Sequence, residues 1–165
     1  MPPGIKRATA VSWSSDGSMM ALGDEVGHVV VQHTTSPTAT AEFDVASGDV
    51  IELAFSPAAD RLAVVAGKEL SLWQLSDRPT CLGRFEHPER IVCVTCSPAG
   101  DHLSTLCADQ RARLFRVSNG VLTRFSRLTP TRASIGEMLP SRLTSSLTLP
   151  FCQGKGLAMT LTTTA

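Results

Sequence analysis

Tyrosine is absent from this 165-residue chain, and rings of any kind are scarce, with six Phe and two Trp. Platforms for single-stranded nucleic acid stack successive bases on aromatic side chains, and little here could build one. Net charge is also missing, since 15 basic side chains balance 15 acidic ones. Nothing about the molecule as a whole therefore argues for attraction to nucleic acid or to an anionic membrane. No apolar run approaches the roughly 20 residues that cross a bilayer. The opening MPPGIKRATAV has two basic residues but no apolar run behind them, so it does not read as a secretory signal. These absences predict a soluble, cytoplasmic protein, with the nucleus as the other compartment and no membrane partner.

Site signatures are lacking as well. The glycine-bearing stretches GDEVG (23–27) and QGKG (153–156) do not follow the phosphate-loop pattern, and neither a calcium loop nor a zinc signature occurs. No cofactor, metal or small-molecule substrate is expected. Cys81, Cys93, Cys96, Cys107 and Cys152 are odd in number and irregular in spacing, which is not a disulfide framework. Reduced thiols are the default expectation. Cys93 and Cys96 lie in a strand pattern, where residues three apart point to opposite faces, so the pair cannot share an ion.

What is present is a globular composition, 42% hydrophobic and 18% charged, at a length suited to one compact domain. Charge runs from acidic to basic along the chain. Residues 1–60 carry 2 basic and 8 acidic side chains, and residues 111–165 carry 8 and 1.

The chain also repeats. VSWSSDGSMMALGDEVGHVVVQ (11–32) aligns with LAFSPAADRLAVVAGKELSLWQL (53–75) and with VTCSPAGDHLSTLCADQRARLFRV (94–117). Trp13, Phe55 and Cys96 are 42 and 41 positions apart, and Phe43, Phe85 and Phe125 give a second register, 42 and 40 apart. Each unit reads as four short strands. The first runs as TAVSWS, VIELAFS and IVCVTCS, each ending at a turn rich in Ser, Pro, Asp and Gly (SSDG, SPAAD, SPAGD). The inner strands are apolar on both faces, as in Val29–Val31 and Ala63–Val65, which stacked sheets require. Gly, Pro and β-branched residues interrupt any helical window through residue 128. An all-β chain is therefore predicted, and a non-repeating sandwich remains the alternative to stacked repeats.

With this period and these turns, the sequence resembles the WD-repeat family, whose units of about 40–45 residues each form most of a propeller blade. The likeness covers about residues 8–128 and implies a partial β-propeller of three four-stranded antiparallel blades, at about 8–45, 46–87 and 88–128. Residues 129–165, rich in Ser and Thr, would be either disordered or a degenerate fourth blade. The third unit carries the likeness best. His87 lies nine residues before Cys96, at the position of the family's Gly-His histidine, and Asp109 lies six before Phe115, at the position of its turn aspartate. The resemblance implies a structural His87–Asp109 dyad, with Cys107 and Phe115 in place of the family's hydroxyl and Trp. Trp73 holds the Trp position of the second unit, but no Trp-Asp dipeptide occurs in the chain. Three blades cannot close a ring, since closed propellers have about 4–8, so the propeller is expected to be incomplete.

No nucleophile stands beside His87 in this alignment except Cys107, whose aligned role is structural. No catalytic residue is expected. The functional candidates are instead basic. Arg111, Arg113 and Arg116 fall on a third strand, with Arg111 and Arg113 on one face, where they could meet phosphate, RNA or an acidic partner. The resemblance implies a non-enzymatic scaffold that holds other proteins in a larger complex. An RNA- or ribosome-associated propeller, resembling a translation factor and using its basic third blade, is the alternative.

Overall fold

The computed structural model describes residues 4–36, 38–45, 48–118, 121–128, 147–148 and 160–161. Among them there are strands and turns and no helix. The first hairpin of each four-strand unit turns where the sequence places a Ser-containing turn. In the first, the Ser14 hydroxyl donates to the Asp16 carboxylate at 2.6 Å and accepts the backbone N–H of Met19. Ser56 with Asp60 and Ser97 with Asp101 repeat this, each at 2.8 Å, with Arg61 and His102 as backbone donors. The turn needs one left-handed residue, and Gly17 (φ 70°), Ala59 (φ 56°) and Gly100 (φ 74°) occupy equivalent positions. Only the middle repeat fills it with a residue carrying a Cβ, which is strained there.

Three four-stranded antiparallel sheets result, each in sequential order. Blade 1 comprises β1 (Ala8–Trp13), β2 (Met19–Asp24), β3 (His28–His33) and β4 (Ala39–Asp44). Blade 2 comprises β5 (Val50–Phe55), β6 (Arg61–Ala66), β7 (Glu69–Gln74) and β8 (Thr80–Glu86). Blade 3 comprises β9 (Ile91–Cys96), β10 (His102–Cys107), β11 (Ala112–Ser118) and β12 (Val121–Leu128). The first strands lie side by side, β1 against β5 and β5 against β9, which makes them the innermost strands of an arc. This is a partial β-propeller. The expectation for residues 129–165 lies largely outside the described residues; within that span Leu147–Thr148 (β13) pairs with Thr160–Leu161 (β14).

The core is interface between blades. Each strand points alternate residues to opposite faces, so every blade has one face toward its predecessor and one toward its successor. Between blades 1 and 2, Ala21, Val29, Val31 and Phe43 pack against Leu53, Phe55, Leu62, Val64 and Trp73. Between blades 2 and 3, Ala63, Val65, Leu70 and Leu72 pack against Ile91, Val94, Leu103 and Phe115. An aromatic pair closes the outer part of each interface. Phe43 and Trp73 stack with centroids 4.2 Å apart and planes at 23°, and Phe85 meets Phe115 at 5.0 Å and 59°. Gly23 permits a close approach of blade 1 to Val50. A Cβ on it would lie 2.5 Å from Val50 Cγ1.

Candidate functional site

The ends of the innermost strands and the turns that follow them converge. Trp13, Ser15, Phe55, Pro57, Cys96 and Pro98, with the hydroxyls of Ser12, Ser56, Thr95 and Ser97, line a groove of about 470 Å³. All three blades contribute equivalent positions, because the 41- and 42-residue spacing brings the same point of each repeat to the same end of the arc. The lining is more apolar than polar, and the Ser56 and Ser97 hydroxyls within it are already committed to Asp60 and Asp101. Trp13, 57% exposed, is its most accessible ring.

The groove's one thiol is chemically quiet. Burial pushes Cys96 up to about 12, so it carries almost no thiolate at neutral pH. Cys96 packs into the core between blades 2 and 3, while Cys93 pairs across to Leu106, on the other face of β9. The two diverge as the strand period requires. Cys81, Cys96 and Cys107 are free thiols, whereas Cys93 is disulfide-bonded, so the expectation of reduced cysteines does not hold for it. Among the described residues no cluster of three or more His, Cys, Asp or Glu could hold a metal ion. Among them, too, no helix is long and apolar enough to cross a membrane.

The His87–Asp109 dyad does not form. His87 is buried, and its Nε2 hydrogen-bonds the hydroxyl of Thr105 at 3.0 Å. Its ring lies 5.6 Å from that of Phe115. Asp109 instead accepts from Arg113 Nη2 at 2.7 Å and Nη1 at 3.4 Å, and its Oδ1 also accepts the Arg111 backbone N–H. The reason is reach. Arg113 extends from β11 toward blade 2, and its guanidinium takes the turn carboxylate before the imidazole can. Thr105, two residues before the aligned Cys107, supplies the hydroxyl that the alignment assigned to Cys107.

Electrostatics follow this arrangement. Burial and then the Arg113 charge hold His87 below its usual value. The Arg113 hydrogen bonds hold Asp109 low, and Asp109 in turn raises Arg113. Burial raises Cys107. His87 is thus a neutral, inward-facing ring. Of this network only Asp109 is partly exposed, its side chain at 20% against 2% for Arg113.

The basic patch is also corrected. Arg113 is 2% exposed and belongs to the interface between blades, because it shares the β11 face that packs against blade 2. Arg111 and Arg116 are exposed, but on opposite sides of that strand from the viewpoint of its period, so they do not form one patch with Arg113.

Comparison with known proteins separates fold from sequence. No family model and no curated protein matches the chain. Among solved structures, it is similar to a chain in the crystal structure of the mitotic checkpoint complex, with a TM-score of 0.64 and 16% identity. The likeness covers 76% of this chain and 40% of that one, so this chain spans well under half of its neighbour's length. At that identity the likeness shows the fold: a blade-built β-propeller segment.

Proposed function

We propose that this chain is a set of WD-repeat-like propeller blades acting as a non-catalytic scaffold that binds other proteins. The observation that carries this is the groove of about 470 Å³, to which all three innermost strands contribute. It offers mainly apolar area, and its lining residues include no activated nucleophile and no His, Asp or Glu. The solved neighbour sits in a multi-protein complex, and a partner held in the groove as an extended segment fits that setting. The chain's fold lends itself to this use because rigid stacked sheets hold the three turns in fixed relation.

The test is site-specific photocrosslinking in cells. A photoreactive residue at Pro57 or Pro98 is expected to give protein adducts that Ala54→Arg, which fills the groove, abolishes. The same residue at Thr123 on the outermost strand is expected to give none of these adducts. Equal adducts at Thr123 and in the groove would overturn the assignment of the groove.

The RNA-associated alternative has lost its central residue, since Arg113 is committed to Asp109 inside the fold. Loss of salt-dependent RNA binding on replacing Arg111 and Arg116 would be needed to revive it.

A further inference from the structure

The two ends of the arc are not alike. In blades 1 and 2, the residues of the second and third strands that face the following blade are core. Ala21 pairs with Val31 and Ala63 with Leu72, and all four are buried. The equivalents in blade 3 are Ser104 with Leu114 and, beside them, Leu106 with Ala112, on the face turned away from blade 2. No strand of blades 1 and 2 reaches that face. Ser104 is nevertheless only 7% and Ala112 only 6% exposed, and Leu106 and Leu114 are half-buried. At the other end of the arc, on the face of β1 turned away from blade 2, Val11 is 58% and Trp13 57% exposed. A cover lies over blade 3 that has no counterpart over β1.

The same face of blade 3 carries a covalent bond. Cys93 stands on β9 opposite Leu106 and is disulfide-bonded. Five cysteines occur in the chain, and Cys81, Cys96 and Cys107 are free thiols. Geometry agrees with that division. Cys96 and Cys107 belong to the core between blades 2 and 3, on the opposite side of the sheet, and Cys81 packs against the core between blades 1 and 2. A disulfide needs two Cβ atoms turned toward one another, and these three face other seams. Cys152 is the cysteine left to pair with Cys93.

We infer that the segment 147–152 lies over the outward face of blade 3, tied there by a Cys93–Cys152 disulfide. The sequence suits the place. Leu147, Leu149 and Phe151 alternate before Cys152, and an extended chain puts such residues on one side, which supplies apolar contacts for Leu106 and Leu114. The segment begins with β13, already a strand paired to β14. The bond forms by exchange with a low-molecular-weight disulfide. One protein thiolate attacks that disulfide, the other resolves the mixed disulfide, and two small thiols leave with the two protons. Two protein thiols are oxidised as one external disulfide is reduced, and a thiol reductant reverses the step. The outward face of blade 3 is thus occupied by the chain itself under oxidising conditions. This is independent of the groove, which opens at the ends of the innermost strands.

Thiol labelling with peptide mass spectrometry tests the tether, on the full chain equilibrated with a small-molecule disulfide and denatured without reductant. Three of the five thiols are expected to label at once, and the other two only after reduction. Trypsin leaves Cys93, Cys96 and Cys107 on one peptide, 91–111, and Cys152 on another, 143–155. The two are expected as one linked species, which Cys93→Ser abolishes and Cys96→Ser does not. The labelling is read on the wild type, so a variant that fails to fold cannot imitate it. Five thiols labelled without reductant, a bond from Cys93 to one of the other three, or a chain-to-chain bond on non-reducing electrophoresis overturns the tether.

The cover is tested by melting and by redox titration. Reduction, Cys93→Ser and Cys152→Ser are each expected to lower the melting temperature equally, and the double variant to lower it no further. Leu114→Gln keeps both thiols and spoils the covered face, so it is expected to make the bond several-fold easier to reduce. A bond whose reduction leaves the melting temperature unchanged, or whose equilibrium ignores Leu114→Gln, overturns the cover. Neither result bears on crosslinking at the groove.

Discussion

His87 gives its Nε2 to Thr105, at 3.0 Å, across the seam between blades 2 and 3. The bond ties the segment entering β9 to the middle of β10, and the ring packs near Phe115 while doing so. Replacing Thr105 by Val keeps the shape and leaves a buried imidazole nitrogen unpaired. Urea denaturation is expected to show a loss of about 1–3 kcal/mol, with Cys107→Ser, at the position first aligned to this role, failing to compensate.

Phe43 and Trp73 lie face to face across the other seam, with Arg84 above the indole at 5.8 Å. Trp73→Ala is expected to cost about 3–5 kcal/mol, as for large aromatic truncations. A double-mutant cycle with Phe43→Leu is expected to give a coupling of about 0.5–1.5 kcal/mol, and zero coupling would show that the two rings act only as separate fillers.

Ala59 holds the left-handed position that Gly17 and Gly100 fill in the other two turns. Removing its Cβ relieves roughly 1–2 kcal/mol and adds roughly 0.5–1 kcal/mol of unfolded-chain entropy. Ala59→Gly is therefore expected to stabilise by about 0.5–1 kcal/mol. A lowered melting temperature would contradict the turn geometry.

Gly23 faces Val50 across the seam between blades 1 and 2, with no room for a methyl group. Gly23→Ala is expected to destabilise by about 1–3 kcal/mol through overpacking. Adding Val50→Ala is expected to recover part of that loss, and a strictly additive pair would show that the two do not meet.

His28 sits between Asp44, 2.7 Å from Nδ1, and Glu42, 2.8 Å from Nε2. Burial pulls its pKa down, and the hydrogen bonds to the two carboxylates outweigh that, so the net shift is upward. A raised folded value means that the proton favours the fold. The stabilisation is complete below the unfolded value of about 6.5 and is lost as pH rises through the folded one. His87, whose value is lowered, acts in the opposite sense, contributing above the unfolded value and losing that contribution as pH falls. Subtracting the pH profile of His28→Gln from that of the wild type isolates the first effect, and a difference that grows with pH would refute it.

Most of the strand map was legible because burial on two faces and repeating turns leave marks that need no partner to be read. The Ser-Asp turns recur at a fixed spacing, and the inner-strand runs Val29–Val31 and Ala63–Val65 are apolar as stacked sheets demand. The site was less legible. Thr105 looked like any β-branched strand residue, and the signal that could have found it was its place on the same β10 face as Leu103 and Cys107. Arg113 looked like surface charge, although it shares the β11 face of Phe115, where a buried cation needs a carboxylate four residues back. The groove was invisible, since Trp13, Phe55 and Cys96 had been aligned as repeat markers without the arc that gathers them.

By itself, then, the sequence determined the period, the four strands of each unit and the face on which each residue falls, because these depend on local turn chemistry and on the two-residue alternation of a strand. Only the tertiary structure decided who meets whom between blades: that Asp109 goes to Arg113, that His87 goes to Thr105, and that Val11 and Trp13 are left uncovered. Those outcomes depend on distances between sheets and on side-chain reach, and no spacing along one chain records either.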